Sequence, residues 1–191
     1  MKTSNYIIIL LAFLFFTLAS CSQTDGNGSL YVVDTKQSID NKNYEQQVKG
    51  PFSSPRKLAA ALSQNGIGEL KEWQNPMEMG WGSLTGYHQF GAQNEGATMQ
   101  NNIAYNLEGT EAVVTSLTIN LNINNTSDKK NALRFLAEIA QKTFSSMNLI
   151  IPSDLKKAIL QSKEFKGELD NYSIFNQLEN SKIETWKVVI R

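Results

Sequence analysis

The segment from Val113 to Asn124 constrains the fold of this chain more than any other part of the sequence. Apolar and polar residues alternate along it, and a period of two is typical of a β-strand with one buried and one wet face. The residues predicted to face the core are Val113, Thr115, Leu117, Ile119, Leu121 and Ile123. The residues predicted to face outward are Ser116, Thr118, Asn120, Asn122 and Asn124. The pattern therefore predicts a sheet whose second face is in contact with water.

Three helices are predicted to cover the other face of that sheet. The longest begins after Asp128, and its apolar residues recur at spacings of three and four, which places them on one stripe. That stripe consists of Ala132, Leu133, Leu136, Ile139, Ala140, Phe144 and Met147. A shorter helix begins at Ser54-Pro55, since proline is favoured in a first turn, and another begins near Pro152-Ser153-Asp154. Each carries a short apolar face of its own.

Further alternating segments predict additional strands. The segment from Met77 to Phe90 alternates but is interrupted by glycines, which indicates a strand with a kink or bulge. Ile103 to Leu107 alternates before a turn, and strand character returns after Gly167 and continues to the C-terminus. The predicted order is α-β-β-β-α-α-β-β. This order favours an α+β fold in which an antiparallel sheet of about five strands packs against helices on one side.

The N-terminal residues have the layout of a secretory leader. Lys2 precedes an apolar run from Tyr6 to Leu18, and small residues follow before a cysteine. The run has about 13 residues, fewer than the ~20 that a helix needs to cross a bilayer. The leader is therefore expected to be removed rather than to anchor the protein.

The sequence Leu18-Ala19-Ser20-Cys21 resembles the lipobox of bacterial lipoproteins. The resemblance covers only the leader, residues 1–20, and the acceptor cysteine. It implies that the peptide is cleaved before Cys21 and that Cys21 carries the lipid, with palmitate-like acyl chains that bind the protein to a membrane. An ordinary leader that leaves Cys21 as a free thiol is the alternative. In that family an Asp after the cysteine tends to retain the protein in the inner membrane, so Ser22 favours the outer membrane of the cell envelope.

Composition limits the remaining chain to one domain behind a tether. Residues 21–53 are mostly polar and are predicted to be a flexible tether, although Leu30 to Val33 could add an edge strand. Residues 54–191 are predicted to form a single α+β domain. The chain has 18 basic and 18 acidic residues, so it lacks the basic surplus that nucleic-acid binding requires. Cys21 is the only cysteine, so no internal disulfide can form.

The sequence contains no motif that predicts catalysis, a cofactor or a metal site. It lacks a nucleophile elbow, a phosphate loop and a dinucleotide fingerprint. His88 is the only histidine, so a zinc site would depend almost wholly on carboxylates. His88 is interpreted as an ordinary strand residue, and no catalytic residue is assigned.

Two groups of residues are candidates for partner binding. The segment from Trp73 to Gly82 contains Trp73, Met77, Met79 and Trp81, and Trp and Met are both suited to contact surfaces. The preferred alternative is that Met77, Met79 and Trp81 form the core face of a strand. Asn120 and Asn122 lie on the predicted open face, where their amides could bind sugar hydroxyls or another sheet, although a solvated face is the more ordinary interpretation.

The resulting prediction is a membrane-anchored, non-catalytic module that binds a protein or another envelope component. One alternative is a carrier of lipids or amphiphiles, with a cavity lined by Phe135, Phe144 and Met147. A second is an envelope hydrolase, which would require His88 to converge with at least two acidic residues in one cleft.

Overall fold

A computed structural model describes residues 50–91, 99–180 and 182–191 of the chain. The described residues form three α-helices and seven β-strands, together with three short 3-10 turns. Cys21, the leader and the predicted tether up to residue 49 lie outside the described residues. The 3-10 turn Gly50–Ser53 precedes the predicted domain start at residue 54, and its Phe52 is buried in the core. The folded part therefore includes these four residues.

The three helices follow the apolar periodicity of the sequence. They are α1 (Pro55–Ser63), α2 (Lys129–Ser146) and α3 (Ser153–Leu160). The seven apolar residues predicted to form the stripe of the long helix are all buried, six of them within α2 and Met147 at its C-terminal cap. Because α2 contacts α1, α3 and the sheet, its stripe is the centre of the helical layer.

Seven strands of the described chain form one antiparallel sheet. They are β1 (Trp81–Leu84), β2 (His88–Phe90), β3 (Asn101–Gly109), β4 (Val114–Ile123), β5 (Phe165–Leu169), β6 (Tyr172–Asn180) and β7 (Glu184–Ile190). The order across the sheet is β1-β3-β4-β7-β6-β5, and β2 pairs with the same edge of β3 as β1. The α+β class and the antiparallel sheet are thus confirmed.

The predicted number and order of strands are wrong. The observed order is α-β-β-β-β-α-α-β-β-β, with seven strands rather than about five. One additional strand arises because the segment up to Phe90 is divided into β1 and β2. The other arises because β5 and β6 form a hairpin in which Leu169 lies opposite Tyr172. That hairpin lies within the region predicted to contain only two strands.

The junction between β1 and β2 contains one extra residue. Leu84 lies opposite Asn106 and His88 lies opposite Ile103, so four steps along this edge match three steps along β3. At the junction the backbone N–H of Thr85 donates to the carbonyl of Tyr105, and the hydroxyl of Thr85 accepts from the N–H of Tyr105. This is the irregularity that the glycine-interrupted pattern predicted, and it frees Gly86 and Tyr87 from the ladder.

A second irregularity alters the predicted alternation of β4. Glu108 lies opposite Ser116 and Gly109 lies opposite Val114, so Thr115 is an extra residue in a bulge. Thr115 was predicted to face the core, but it is only half-buried and its hydroxyl donates to the carbonyl of Glu108. From Leu117 onward the alternation holds, with Leu117, Ile119, Leu121 and Ile123 buried against the helices.

A buried polar network joins β3 and α2 to Asn65, which follows the C-terminal end of α1. The hydroxyl of Tyr105 accepts a hydrogen bond from the Asn65 amide at 2.9 Å and lies 2.6 Å from the Thr143 hydroxyl. Thr143 itself donates to the carbonyl of Ile139, so Tyr105 must be the donor to Thr143. Burial raises the pKa of Tyr105, and its two side-chain hydrogen bonds oppose that rise.

Within the residues that the structure describes, no helix has both the length and the apolar character needed to span a membrane.

Candidate functional site

The open face of the sheet contains a polar depression of about 450 Å³. The residues around it are Leu84, Thr85, Tyr87, Ala104, Tyr105, Asn106, Asn120, Asn122, Glu179, Thr185 and Lys187. Its floor crosses β3, β4 and β7, where Ala104 lies opposite Asn120 and Asn120 lies opposite Lys187. Because Ala104 has only a methyl group between longer neighbours, a concave space forms above it.

Hydrogen bonds order the side chains on one side of the depression. The Asn122 amide donates to Asn102 Oδ1 at 2.8 Å, and Asn122 Oδ1 accepts from the Thr185 hydroxyl at 2.8 Å. This chain of contacts runs across three neighbouring strands. On the other side, the Asn106 amide donates to Glu108 Oε1 at 2.8 Å. These side chains are therefore held in place before any partner binds.

An apolar groove of about 620 Å³ adjoins the depression. Leu84 and Asn106 border both spaces, so the two lie next to each other. The groove runs beside β1, and Met79, Trp81 and Lys71 also border it. We call the depression and the groove together the open-face trough.

The segment from Trp73 to Gly82 forms the end of the trough, but its residues divide into two groups. Trp73 is buried in the core, and its indole N–H donates to the carbonyl oxygens of Thr110 and Glu111. Trp81 is half-buried and packs against the same core. Both tryptophans therefore contribute to packing, as expected for a residue type that is normally well buried.

The two methionines of this segment project into solvent. Met77 is 84% exposed and Met79 is 76% exposed, so the preferred interpretation that they form the core face of a strand is wrong. Pro76–Glu78 is a 3-10 turn instead of a strand, and the N–H of Gly80 donates to Asn75 Oδ1 at 2.8 Å. The turn reverses the chain so that Gln74 pairs with Gly82.

This methionine turn, Pro76–Met79, has an unusual backbone. Met77 and Glu78 have φ values of 55° and 57°, in the left-handed region that non-glycine residues rarely occupy. Each such residue costs on the order of 1 kcal/mol, and conformations of this kind are concentrated at binding sites and active sites. Two consecutive strained residues that present exposed thioethers mark the turn as a candidate contact point.

The two asparagines predicted to be candidates both lie on the open face. Asn122 is engaged with Asn102 and Thr185, as described above. Asn120 is half-buried and borders the depression between Ala104 and Lys187 of the neighbouring strands, and its amide has no side-chain hydrogen bond to any described residue. Of the predicted residues, the structure thus brings Asn120, Asn122, Met79 and Trp81 to the trough, whereas Trp73 lies in the core and Met77 is outside the lining.

The residues named for the alternative functions lie on the helical side. Phe144 and Met147 are fully buried in the hydrophobic core, and Phe135 is half-buried against Phe90 with ring centroids 4.4 Å apart. The ring of His88 also contacts Phe135, at 6.1 Å between centroids. Among the described residues, no group of three or more His, Cys, Asp or Glu side chains is arranged to hold a metal ion.

Two ion pairs formed by β7 lie on opposite faces of the sheet. Lys187 forms an ion pair with Glu179 on the neighbouring strand. On the helical side, Lys129 Nζ lies 2.6 Å from Glu184 Oε1, and Glu184 also accepts from the indole N–H of Trp186. Partial burial alone would raise the pKa of Glu184, but the hydrogen bonds from Lys129 and Trp186 lower it overall.

Most residues of the trough were not predicted from the sequence as site residues, and three of them shape the depression. Tyr87 is 68% exposed at the rim of the depression, Leu84 is exposed between the two spaces, and Ala104 forms the floor. Tyr87 follows Gly86 in the glycine-interrupted segment, which is the one signal that pointed to this position. The floor at Ala104 depends on the pairing of distant strands and has no local signal.

No known protein-family model matches the chain, and neither a curated protein nor a solved structure is significantly similar to it.

Proposed function

We propose that the protein is a lipid-anchored, non-catalytic binding module of the bacterial cell envelope, which recognises a protein or another envelope component with its open-face trough. The lipid on Cys21 would hold the protein at the membrane, and the segment up to residue 49 would let the domain extend away from the membrane surface. The sorting residue Ser22 favours the outer membrane. The activity assigned to the domain is binding alone.

The observation that carries this proposal is the arrangement of exposed apolar residues around the trough. Met79 borders the apolar groove and Leu84 borders both the groove and the polar depression, while Met77 projects from the adjacent strained turn. A concave surface with apolar anchors and a few fixed polar groups is typical of a recognition site. Methionine also adapts its shape to a partner better than branched residues do.

The proposal is tested by site-specific crosslinking in cells. A photoreactive amino acid replaces Met79 in the full chain, and the matched control carries it at Ile150, which is 87% exposed in the loop between α2 and α3. We expect a discrete crosslinked species from position 79 that is absent from position 150. Identical crosslinking from both positions, or from neither, would contradict the proposal.

The anchoring is tested in the same cells with Cys21→Ala. We expect this substitution to abolish incorporation of labelled palmitate and to release the protein from the membrane fraction. The crosslink from position 79 should then weaken, because tethering no longer raises the local concentration of the partner. Recovery of lipid rather than protein at position 79 would favour the amphiphile carrier.

A further inference from the structure

The polar depression is electrically neutral and rich in amides, and this combination identifies a chemical class of ligand. Of the described residues that border it, only Glu179 and Lys187 carry charge, and they are paired with each other. A phosphate, a carboxylate or a cation would therefore find no unpaired counter-charge there. The complementary occupant is a neutral molecule that forms many hydrogen bonds.

The side chain of Asn120 is the central hydrogen-bonding group of this space. An asparagine amide offers both a donor and an acceptor, and that of Asn120 is bonded to no other described side chain. Its neighbours Asn122 and Asn106 are already fixed by the contacts given above. A hydroxyl group, which also donates and accepts, matches such an amide.

Tyr87 supplies a flat apolar surface at the rim. Its ring is largely exposed, and Gly86 and Tyr87 lie where the ladder is interrupted between β1 and β2. An exposed tyrosine gives a large contact area at low entropy cost, and its aromatic face attracts C–H groups. A pyranose ring matches both Asn120 and Tyr87, because it has hydroxyl groups around its edge and C–H groups on its faces.

We infer that the polar depression binds a neutral saccharide, with Asn120 bonding its hydroxyl groups and Tyr87 stacking on a sugar ring. An extended peptide fits less well, because peptides usually bind sheets through free backbone groups at an edge. The depression lies instead on a face, where the backbone groups of β3 and β4 are paired with each other. This inference rests on the proposed binding function and names the ligand of the same trough.

The test is ligand-observed NMR with the mature protein and two neutral probes, cellotetraose and the tetramer of N-acetylglucosamine. We expect saturation transfer to at least one probe and none to a tetramer of galacturonic acid, which is charged. Asn120→Ala and Tyr87→Ala should each weaken binding about tenfold, the loss expected for one good hydrogen bond or one stacking contact. Tyr87→Phe keeps the ring and should retain most of the affinity.

Thr118→Ala is the matched control, since Thr118 lies on the same strand and face but borders neither the depression nor the groove. It should bind like the parent protein, and thermal unfolding verifies that all variants are folded. Equal weakening by Thr118→Ala, or equal binding of the charged tetramer, would overturn the inference.

The same variants separate this inference from the proposed function. If neither neutral probe binds but Asn120→Ala or Tyr87→Ala reduces the crosslink from position 79, the saccharide inference fails and the binding function stands. If neither probe binds and the crosslink is also absent, both fail.

Discussion

The hydroxyl of Tyr105 is expected to contribute strongly to the stability of the domain. Tyr105→Phe removes the hydrogen bond from Asn65 and the hydrogen bond to Thr143, which are 2.9 and 2.6 Å long. Each buried polar group that is left without a partner costs about 1–3 kcal/mol, and the lower polarity of Phe recovers part of that loss. We therefore expect the free energy of unfolding to fall by about 2–3 kcal/mol.

Urea unfolding of the parent protein and of Tyr105→Phe measures this difference. The slope of the free energy of unfolding against urea concentration should be the same for both, because they expose the same surface on unfolding. Thr143→Val removes the acceptor for Tyr105 and is expected to cost about 1–2 kcal/mol. The double variant should lose less than the sum of the two single losses, since both remove the same hydrogen bond. A loss below about 0.5 kcal/mol for Tyr105→Phe, or strictly additive losses, would refute the reasoning.

The same tyrosine predicts a loss of stability at high pH. Burial raises the folded-state pKa of Tyr105 above its ordinary value of 10.0, and burial also raises that of Tyr172. The stabilising contribution of a raised pKa is fully present below the unfolded pKa and is lost as the pH rises from there through the folded pKa. Tyr105→Phe should therefore make the decline in stability above pH 10 shallower, as measured by urea unfolding over a series of pH values.

Three further substitutions test other features of the fold. Met77→Gly should raise the free energy of unfolding by about 1 kcal/mol, because glycine adopts a φ of 55° without strain. Met79→Gly should lower the free energy of unfolding, because a φ of −84° is not strained and glycine loses more conformational freedom on folding. Glu184→Gln removes an ion pair and should lower the free energy of unfolding by about 0.5–1 kcal/mol at neutral pH. The difference between the two proteins should disappear as the pH falls from 4.5 through the folded-state pKa of Glu184, which is lower than that value. Gly109→Ala should lower the free energy of unfolding by more than about 2 kcal/mol, because the added methyl group overlaps a backbone carbonyl oxygen. Gly86→Ala should have little effect, because its methyl group meets no atom within 4 Å. Thermal and urea unfolding measure all three substitutions. A change of stability opposite to the expected one contradicts the corresponding argument, and so does an equal effect of Met79→Gly or Gly86→Ala, which are the controls.

The sequence predicts the helical layer and β4 well because burial on one face imposes a regular period. The stripe of α2 and the alternation from Leu117 to Ile123 require no knowledge of distant contacts. The hairpin of β5 and β6 also had a local signal, since Asp170-Asn171 separates two alternating segments and Asp170 has a φ of 53°. Aspartate and asparagine tolerate that conformation, so a hairpin turn at this position is predictable from the sequence.

The methionine turn shows how a local pattern can mislead. Met77, Met79 and Trp81 alternate as strand residues do, yet Pro76 and Gly80 favour a tight reversal of the chain. The backbone conformation of the turn, not the hydropathy, determines that the methionines are exposed. The trough itself depends on strand pairing between distant segments, which brings Ala104 beside Asn120 and cannot be inferred from either strand alone.

The interrupted edge of β3 has a consequence for how this protein can diversify. β1 and β2 are registered on β3 independently of each other, so the connection between them can change in length or composition while both ladders keep their partners. The rim residue Tyr87 lies on that connection. Selection can therefore alter what the trough recognises by varying Gly86 and Tyr87, while the buried Thr85 keeps its hydrogen bonds to Tyr105.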